Sequence, residues 1–335
     1  MTSFSPPRPD LPRPDLSAAR PAARVAVLLP CYNEAAAIGQ TVAAFRAALP
    51  DAAIYVYDNN SSDGTTAVAA AAGATVRVER MQGKGHVVRR MFADIDADIY
   101  VLADGDATYD AAAAPAMIAR LADERLDMVV GARQSEVQAA YRRGHRLGNR
   151  LLTGCVAWIF GRSFSDILSG YRVFSRRFVK SFPVLAQGFE IETDITVHAL
   201  ELRLPVAEVM TAYAARPAGS ASKLSTWRDG WRILTMILNL ARTEKPVTFF
   251  GLFAALFLAT ALGLSVDLVA TYLATGLVPR LPTAVLAMGL TLVALLALVC
   301  GLILDTVTRG RREIKRLAYL AQPAPGAGND GAPPA

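Results

Sequence analysis

The sequence predicts an α/β fold with a mostly parallel sheet, followed by an interfacial amphipathic helix and two transmembrane helices. Between residues 24 and 130, short apolar runs alternate with longer alanine-rich stretches of helical period, which is typical of βα units. Two later runs without Lys or Arg, residues 247–273 and 283–304, each exceed the roughly 20 residues that a helix needs to cross a bilayer. Trp227, Trp231 and Leu234 have helical spacing directly before the first run.

Short apolar runs place the strands of the predicted sheet. They are residues 25–29, 54–57, 75–78, 99–103, 128–130, 169–174 and 206–209. Polar clusters follow three of them directly: Cys31-Tyr32-Asn33-Glu34, Asp58 to Gly64, and Asp104-Gly105-Asp106. Ligands of open α/β sheets bind at the carboxyl ends of the strands. We therefore expect the functional site at this edge of the sheet.

Basic residues around the two apolar runs predict their orientation in the membrane. Arg242 and Lys245 precede the first run, five basic residues from Arg309 to Arg316 follow the second, and only Arg280 lies between the runs. By the positive-inside rule, the large domain and both termini are predicted to be cytoplasmic. The predicted organisation is a disordered segment 1–23, a catalytic domain 24–224, an interfacial helix 225–245, two transmembrane helices within 246–305, and a basic, then disordered, tail 306–335.

The charge distribution indicates what the protein binds, and the cysteine content indicates whether it has disulfides or a zinc site. The net charge is +6, but the basic residues concentrate near the apolar runs and the sequence has no nucleic-acid-binding motif. A membrane surface is therefore the predicted partner, rather than nucleic acid. Cys31, Cys155 and Cys300 lie far apart without a CxxC pair, so the sequence supports neither a disulfide framework nor a zinc site.

The Asp104-Gly105-Asp106 motif is the strongest chemical signal in the chain. Two carboxylates one residue apart at a strand end can hold a divalent cation, and oxygen ligands suit Mg²⁺ or Mn²⁺. The alternative is an acidic turn, because Asp and Gly are common turn residues. Asp58 is a candidate acceptor of hydrogen bonds from a nucleotide, whereas residues 59–62 are interpreted as loop chemistry. Lys84, taken alone, is interpreted as a solvated lysine at a helix start.

Taken together, the motifs resemble those of family-2 glycosyltransferases with the GT-A fold, most closely the dolichol-phosphate mannose synthase and polyprenyl-phosphate sugar transferase branch. The resemblance runs from about residue 24 to residue 245. It is carried by Leu29-Pro30-Cys31-Tyr32-Asn33-Glu34, Asp58 to Thr65, Gly83-Lys84-Gly85, Asp104 with Asp106, Gly131-Ala132-Arg133, Ser169 to Phe174, Gly188-Phe189-Glu190, and the stretch from Arg216 to Lys223.

The resemblance implies a role for each matching residue. The nucleoside pocket would be lined by Pro30, Tyr32, Glu34 and Asp58, with Lys84 beside it. The metal and the diphosphate would be held by Asp104 and Asp106, and Asp106 would be catalytic. Glu190 would help to shape the sugar site, and Ser222 and Lys223 would close near the donor. Relatives often carry Gln two residues after the second metal Asp; here that residue is Thr108, which leaves the third ligand open between Thr108 and water.

The resemblance also implies an acceptor, and the chemistry of the chain agrees with it. A phosphate monoester has its second pKa near ~6, so a polyprenyl phosphate is already a nucleophile at neutral pH and needs no strong base. Arg133 and Arg172 are the residues predicted to bind that phosphate, because arginine binds phosphate bidentately and stays charged. His86, His145 and His198 are predicted to be structural or on the surface.

The predicted function is therefore inverting transfer of a sugar from a UDP-sugar or GDP-mannose to a polyprenyl phosphate. One alternative is a processive polysaccharide synthase, but two spans are few for a translocation channel and a Gln-x-x-Arg-Trp motif is missing from the sequence. The other is a membrane scaffold or transporter with a degenerate nucleotide-binding domain, for which two nearly uncharged spans form a poor pathway. Packing of the spans with those of neighbouring chains is a possible route to a homo-oligomer.

Overall fold

The computed structural model describes residues 23–134, 143–161, 164–184, 188, 190–214 and 226–323, and in two of its helices the side chains of residues 143–150, 152 and 226–233 lie outside the description. The strands are β1 (Val25–Cys31), β2 (Ala53–Asp58), β3 (Thr75–Val78), β4 (Ile99–Leu102), β5 (Met128–Gln134), β6 (Arg172–Ser175) and β7 (Val206–Ala212). The α-helices are α1 (Ala35–Ala48), α2 (Thr65–Ala71), α3 (Lys84–Asp94), α4 (Ala114–Asp123), α5 (Arg143–Phe160), α6 (Arg176–Ser181), α7 (Ile191–Glu201), α8 (Thr226–Glu244), α9 (Pro246–Thr275) and α10 (Leu281–Leu320).

The strands form one seven-stranded sheet in the order β3-β2-β1-β4-β6-β5-β7. β6 runs antiparallel to both of its neighbours, β4 and β5, and the other pairs are parallel. The predicted α/β fold with a mostly parallel sheet is thereby confirmed. In the register of the sheet, Cys31 at the end of β1 lies beside Asp58 at the end of β2. The polar clusters that follow these strands therefore share one edge.

Apolar side chains of the sheet alternate between two core layers, one on each face. Along β1, Ala26 and Leu28 join one buried cluster, whereas Val27 and Leu29 join the other. This alternation follows from the two-residue repeat of a strand. Helices cover both faces: α1 packs through one apolar stripe into the second cluster, and α3, α6 and α7 pack into the first. The sheet therefore has a core layer on each of its two faces.

α9 and α10 are long and apolar enough to cross a bilayer. Their most apolar windows have mean hydropathies of 2.2 and 2.7, and only 6% and 17% of those windows is buried within the protein. Core helices of soluble proteins are mostly buried, so this exposure favours a lipid environment. The two helices pack along small residues of α10 that recur every seven positions: Ala287, Ala294, Gly301 and Thr308. A seven-residue repeat is typical of helices that supercoil around each other.

α10 continues well past the predicted span and contacts the catalytic domain. Its 40 residues extend over roughly 60 Å, about twice the hydrocarbon thickness of a bilayer. The sequence predicted only a basic tail from residue 306, but the structure places residues 306–320 in the same helix. Near its end, the Tyr319 hydroxyl donates to Asp127 at 2.7 Å and accepts from Arg177 at 2.9 Å.

A buried ionic cluster fixes this helix to α7 and α8. Lys315 donates to Glu201 at 2.6 Å, and Arg311 and Arg312 donate to Glu244 at 2.6 and 2.8 Å. The side chains of Glu201 and Glu244 are 0% and 4% exposed, so neither carboxylate has water to replace its partners. Removing one member of such a cluster leaves an uncompensated buried charge. The basic residues after the span therefore have a structural partner within the chain.

We expect Glu201→Gln to lower the free energy of unfolding by about 3 kcal/mol, because Lys315 loses its buried counter-charge. The matched control is Asp305→Asn, which removes an exposed pair with Arg309 and should change stability by less than about 1 kcal/mol. Thermal melting of both detergent-purified variants measures the difference. Equal melting midpoints would show that the cluster does not stabilise the docked helix.

Candidate active site

The candidate site lies where β1, β2 and β4 end. Asn59 follows β2 and joins its loop to the loop before α3: its side-chain amide donates to the carbonyls of Glu79 and Met81, each at 2.8 Å, and its oxygen accepts from Gly83 N at 2.7 Å. Asn60 donates to the carbonyl of Arg80 in the same way. These bonds agree with the interpretation of residues 59–62 as loop chemistry. They also fix the start of α3, where Lys84 lies.

Asp104 and Asp106 stand on a tight turn directly after β4. Ala107, next to Asp106, has a φ of 57°, a left-handed conformation that is uncommon for a residue with a side chain. The turn is fixed by Thr108, whose hydroxyl donates to Asp106 Oδ1 at 2.6 Å and whose amide donates to the same atom at 3.2 Å. Thr108 is thus bound to a predicted metal ligand, in the sequence position where relatives often have Gln.

Lys84 is buried between two carboxylates. Its ammonium contacts Asp104 Oδ1 and Glu192 Oε1, both at 2.5 Å, and its side chain is only 9% exposed. Burial alone lowers the pKa of Lys84, but attraction to Asp104 and Glu192 outweighs burial and raises the pKa above its ordinary value. The interpretation of Lys84 as a solvated lysine is therefore wrong. The ammonium is instead a fixed positive charge beside the Asp104 carboxylate.

Two glycines allow the close contacts around this pair. A Cβ at Gly105 would lie 2.4 Å from the sulfur of Cys31, and a Cβ at Gly170 would lie 2.8 Å from Asp104 Oδ2. Only glycine leaves room at either position. The amide of Gly170 donates to the hydroxyl of Tyr109 at 2.8 Å, which brings this buried phenol next to the carboxylate. Burial, and then the negative charge of Asp104, raise the pKa of Tyr109, which therefore stays neutral.

Arg133 is held near the end of β5. Its Nε and Nη2 donate to the two oxygens of Asp166 at 2.6 and 2.9 Å, and the guanidinium lies 5.4 Å from the ring centre of Tyr213. Tyr213 packs against Tyr109 with ring centres 5.3 Å apart. The planar two-point pair fixes the guanidinium in one orientation. Arg133 is 16% exposed at the side chain and belongs to the same neighbourhood as Asp104.

Arg172 does not face the site, contrary to the prediction. It is 0% exposed, and its guanidinium donates to the carbonyls of Ser169 and Ile167 at 2.9 and 2.6 Å and to the hydroxyl of Thr196 at 2.9 Å. The reason is its place in β6, which lies between β4 and β5 and is covered on both faces. Burial lowers the pKa of Arg172 to about 10, so it remains charged. It joins the loop before β6 to α7 and has a structural role.

The residues predicted for the nucleoside pocket surround the end of β1. Pro30 is buried in the strand, Tyr32 is 38% exposed, and Glu34 is buried at the start of α1. Asp58 is also buried; its Oδ2 accepts from Ser61 N at 3.1 Å, while Oδ1 has no hydrogen-bond partner among the described residues. A buried carboxylate oxygen without a donor is costly. A ligand N–H or O–H would satisfy it.

The remaining predicted residues lie at the rim of the site or outside the description. Glu190 immediately precedes α7, is exposed, and accepts from Gly188 N at 3.1 Å. Ser222 and Lys223 fall outside the described residues. His86 is buried, with a ring nitrogen 2.7 Å from Arg89. His198 packs between Phe178 and Phe182, and burial lowers its pKa to about 3, so it is neutral and structural.

The donor set fits a divalent cation that also binds substrate. Within the described ranges, no group of three or more His, Cys, Asp and Glu side chains is arranged to hold a metal by itself. Asp104 and Asp106 supply two carboxylates, and the Asp104 side chain is 30% exposed at the sheet edge. Mg²⁺ and Mn²⁺ sites with one or two protein carboxylates complete their shell with phosphate oxygens and water. The pair therefore suits a metal that arrives with a diphosphate.

Comparison with known proteins agrees with this geometry. Residues 26–181 match the family described as Glycosyl transferase family 2. The glycosyltransferase AglJ of Haloferax volcanii is 34% identical over 299 residues, which cover 88% of this chain and 98% of that protein. The chain belongs to glycosyl transferase family 2. It is a glycosyltransferase, and the resemblance inferred from its motifs is confirmed.

Two further proteins place this glycosyltransferase among its relatives. A dolichyl-phosphate hexose transferase of Haloferax volcanii is 25% identical over 221 residues, which cover 66% of this chain and 95% of that protein. The fold is similar to glucosyl-3-phosphoglycerate synthase from Mycobacterium tuberculosis, crystallised with Mn²⁺, uridine diphosphate and glucosyl-3-phosphoglycerate. That similarity has a TM-score of 0.55 at 23% identity and covers 66% of this chain and 79% of the other. It supports the GT-A-like fold.

Three residues of the glycosyltransferase site were not predicted from the sequence. Glu192 binds Lys84, Asp166 holds Arg133, and Tyr109 accepts from Gly170 N and packs against Tyr213. Glu192 stands two residues beyond the Gly188-Phe189-Glu190 motif, so the motif pointed to this stretch of the chain but to a different carboxylate. Asp166 and Tyr109 do not belong to any of the motifs identified in the sequence. Their roles depend on contacts with residues far away in the chain.

We expect Lys84→Met to destabilise the glycosyltransferase by about 3 kcal/mol, because Asp104 and Glu192 would face each other without the ammonium. The double variant Lys84→Met/Glu192→Gln should regain part of this loss, since one of the two carboxylates is then neutral. Thermal melting of the wild type, both single variants and the double variant measures the coupling. Strictly additive losses would contradict a shared buried charge cluster.

Proposed function

We propose that this chain transfers a hexose from a nucleoside diphosphate to a polyprenyl phosphate, with inversion at the anomeric carbon. The observation that carries the proposal is the arrangement of Asp104, Asp106, Lys84 and Arg133 around one sheet edge, on a domain bound to two helices long enough to cross a bilayer. The names of two relatives support it: one is a dolichyl-phosphate hexose transferase, and the other was crystallised with Mn²⁺ and uridine diphosphate.

The end of β2 would recognise the nucleoside. Asp58 Oδ1 is a buried acceptor with no donor among the described residues, so an N–H of the base or a ribose hydroxyl would satisfy it. Tyr32 is exposed beside it and offers an aromatic surface to the base. Both groups suit UDP-sugars and GDP-mannose, and Pro30 and Glu34 would complete the pocket. Glu190, with Ser222 and Lys223, would shape the sugar side of the donor site.

Asp104 and Asp106 would hold Mg²⁺ or Mn²⁺ together with the donor diphosphate. When bound, the metal would act as a Lewis acid that neutralises charge on the departing nucleoside diphosphate. Thr108 keeps Asp106 in one orientation through two hydrogen bonds. Lys84 adds a second positive charge beside Asp104 in a site largely closed to water. These groups are in place before the reaction, so little reorganisation is needed as charge develops.

Arg133 would bind the acceptor phosphate. Asp166 holds its guanidinium in a fixed orientation, and the ring of Tyr213 packs against it. An oxygen of the acceptor phosphate would form the new bond to the anomeric carbon, while the bond from that carbon to the diphosphate oxygen breaks. The phosphate is already ionised at neutral pH, so no base is required. Attack opposite the departing group produces inversion.

The membrane would present the acceptor on the side of the catalytic domain. On α8, Leu234 and Leu238 are one helical turn apart and are 45% and 48% exposed, as expected for a helix in the membrane interface. Basic residues concentrate on the same side of α9 and α10 as this domain, which favours a cytoplasmic location. Polyprenyl phosphate in the cytoplasmic leaflet would then meet Arg133 without leaving the membrane.

The test is transfer by the purified full-length protein from a panel of UDP- and GDP-sugars to a polyprenyl phosphate in detergent. We expect a glycosyl phospholipid, identified by mass spectrometry, that forms only with Mg²⁺ or Mn²⁺. A panel that yields no lipid product, with or without metal, would overturn the proposal.

Asp106→Asn should lower kcat at least ~100-fold, because a group that stabilises the departing charge is lost. The matched control is Asp110→Asn, the same chemical change at an exposed residue that caps the following short helix through Ala112 N. Melting curves should show that both variants remain folded. Near-normal turnover of Asp106→Asn at saturating Mn²⁺ would contradict the metal role.

Arg133→Lys should raise the KM for polyprenyl phosphate about tenfold or more and leave the KM for the donor nearly unchanged, because lysine cannot reproduce the two-point pair with Asp166. Arg172→Lys should instead lower the melting midpoint, because it leaves buried carbonyls without donors. Steady-state kinetics with each substrate varied in turn separates these effects. Equal changes in both KM values would argue against a role in acceptor binding.

A further inference from the structure

α10 carries a second apolar stripe on a face that the described part of the chain leaves open. Its members alternate in steps of three and four, so they keep a strict seven-residue repeat along nearly the whole helix. They are Leu286, Gly289, Val293, Leu296, Cys300, Ile303, Val307, Gly310, Ile314, Leu317 and Ala321, and we call them the α10 seam. A heptad repeat of this kind is the pattern of a helix that packs against another helix.

The part of the seam beyond the apolar span is the informative part. Within the span every face of α10 is apolar, but from residue 305 onward the helix carries many charges, and all of them lie off the seam. Val307, Ile314 and Leu317 are nevertheless 60%, 70% and 66% exposed. Water penalises such a stripe, and a cluster of exposed large apolar side chains on one face marks a contact surface.

The seam does not point toward the contacts already described. The stripe that packs against α9 and α8 consists of Ala287, Ala294, Gly301 and Thr308. Arg311, Arg312 and Lys315 extend that side onto the catalytic domain. At 100° per residue, the seam lies roughly 130° around the helix from this stripe. A Cβ at Gly289 or Gly310 would meet nothing within 4 Å, so the seam is open at both levels.

We propose that the α10 seam is the interface of a parallel homodimer, and that its occupant is α10 of a second copy of this chain. Identical chains in one bilayer share the same orientation, so their α10 helices run parallel. In the heptad, Val307 and Ile314 occupy the first core position and Leu317 the second, the combination that favours two-stranded parallel packing. Within the span, Gly289 and Cys300 are small, which allows the backbones to approach closely.

The dimer places the two catalytic domains on opposite sides of its axis, because each domain is fixed to the face of α10 away from the seam. The ionic cluster around Glu201 and Glu244 stays within each chain and is not exchanged between copies. The seam also stays continuous from lipid into water. A partner helix with the same seven-residue repeat can therefore pack along the seam both within the apolar span and beyond it.

The native Cys300 reports directly on this arrangement. It lies on the seam and is exposed, so in the dimer the two copies of Cys300 face each other across the axis. Oxidation of native membranes that contain the full-length protein, followed by non-reducing electrophoresis, should give a reducible dimer band. Cys300→Ser should abolish the band, since Cys31 is buried and Cys155 lies on α5. A wild-type protein that stays monomeric under oxidation overturns the proposal.

A matched pair of cysteines tests the aqueous part of the seam. In a Cys155→Ser/Cys300→Ser background, Leu317→Cys on the seam should crosslink efficiently, whereas Arg316→Cys, exposed one residue away, should crosslink at least tenfold less. Both changes are on the surface and should leave the fold intact. Equal yields at the two positions mean random collision and overturn the proposal. No crosslink at Leu317→Cys, as expected if another segment of the same chain covers the seam, also overturns it.

Discussion

The burial of the Lys84 ammonium between Asp104 and Glu192 is the interaction on which the rest of the site depends. An unpaired ammonium in this position would cost several kcal/mol, so the chain must bring both carboxylates to it. One carboxylate follows β4, the cation begins α3, and the second carboxylate begins α7. Three segments that are far apart in sequence are thereby fixed at a single point. The carboxyl edge of the sheet thereby gains a fixed pattern of positive and negative charges.

α7 extends this constraint toward the membrane helices. Near its first turn Glu192 contacts Lys84, and at its last residue Glu201 is buried among the cations of α10. The helix is about 16 Å long, and Arg172 fixes its middle through Thr196. This helix therefore connects the charged site to α10, which is long and apolar enough to cross a membrane. One helix therefore contacts both the Lys84 side of the site, through Glu192, and α10, through Glu201.

The sequence was sufficient for the fold and for part of the site. Strand positions could be predicted because buried strands are short apolar runs between polar clusters, and Asp104 and Asp106 because their spacing carries chemistry. Arg172 was misplaced because a sequence motif does not show how deeply a residue is buried in the fold. Arg172 is enclosed because β6 lies between β4 and β5 and pairs antiparallel with both. Glu192 and Asp166 were missed because their partners lie 108 and 33 residues away. The continuation of α10 was missed because the hydropathy of the sequence falls after residue 304. Three basic residues of this part of the helix are paired with Glu201 of α7 and Glu244 of α8, and the sequence alone does not reveal these partners.

The charges at the two ends of the apolar helices define how the domain meets the membrane. On α9, Pro246 follows the Glu244 that binds Arg311 and Arg312, and Asp267 pairs with Arg280 at 3.3 Å. The stretch between Pro246 and Asp267 extends about 32 Å, which matches the hydrocarbon thickness of a bilayer. The Asp267 and Arg280 side chains are 79% and 70% exposed, as an interfacial pair requires. At the other end, α8 and α9 are separated only by Lys245, so α8 leads almost directly into α9. Ion pairs thus flank the apolar part of α9 at both ends, Glu244 with Arg311 and Arg312 at one and Asp267 with Arg280 at the other, as expected for a helix long enough to cross a membrane.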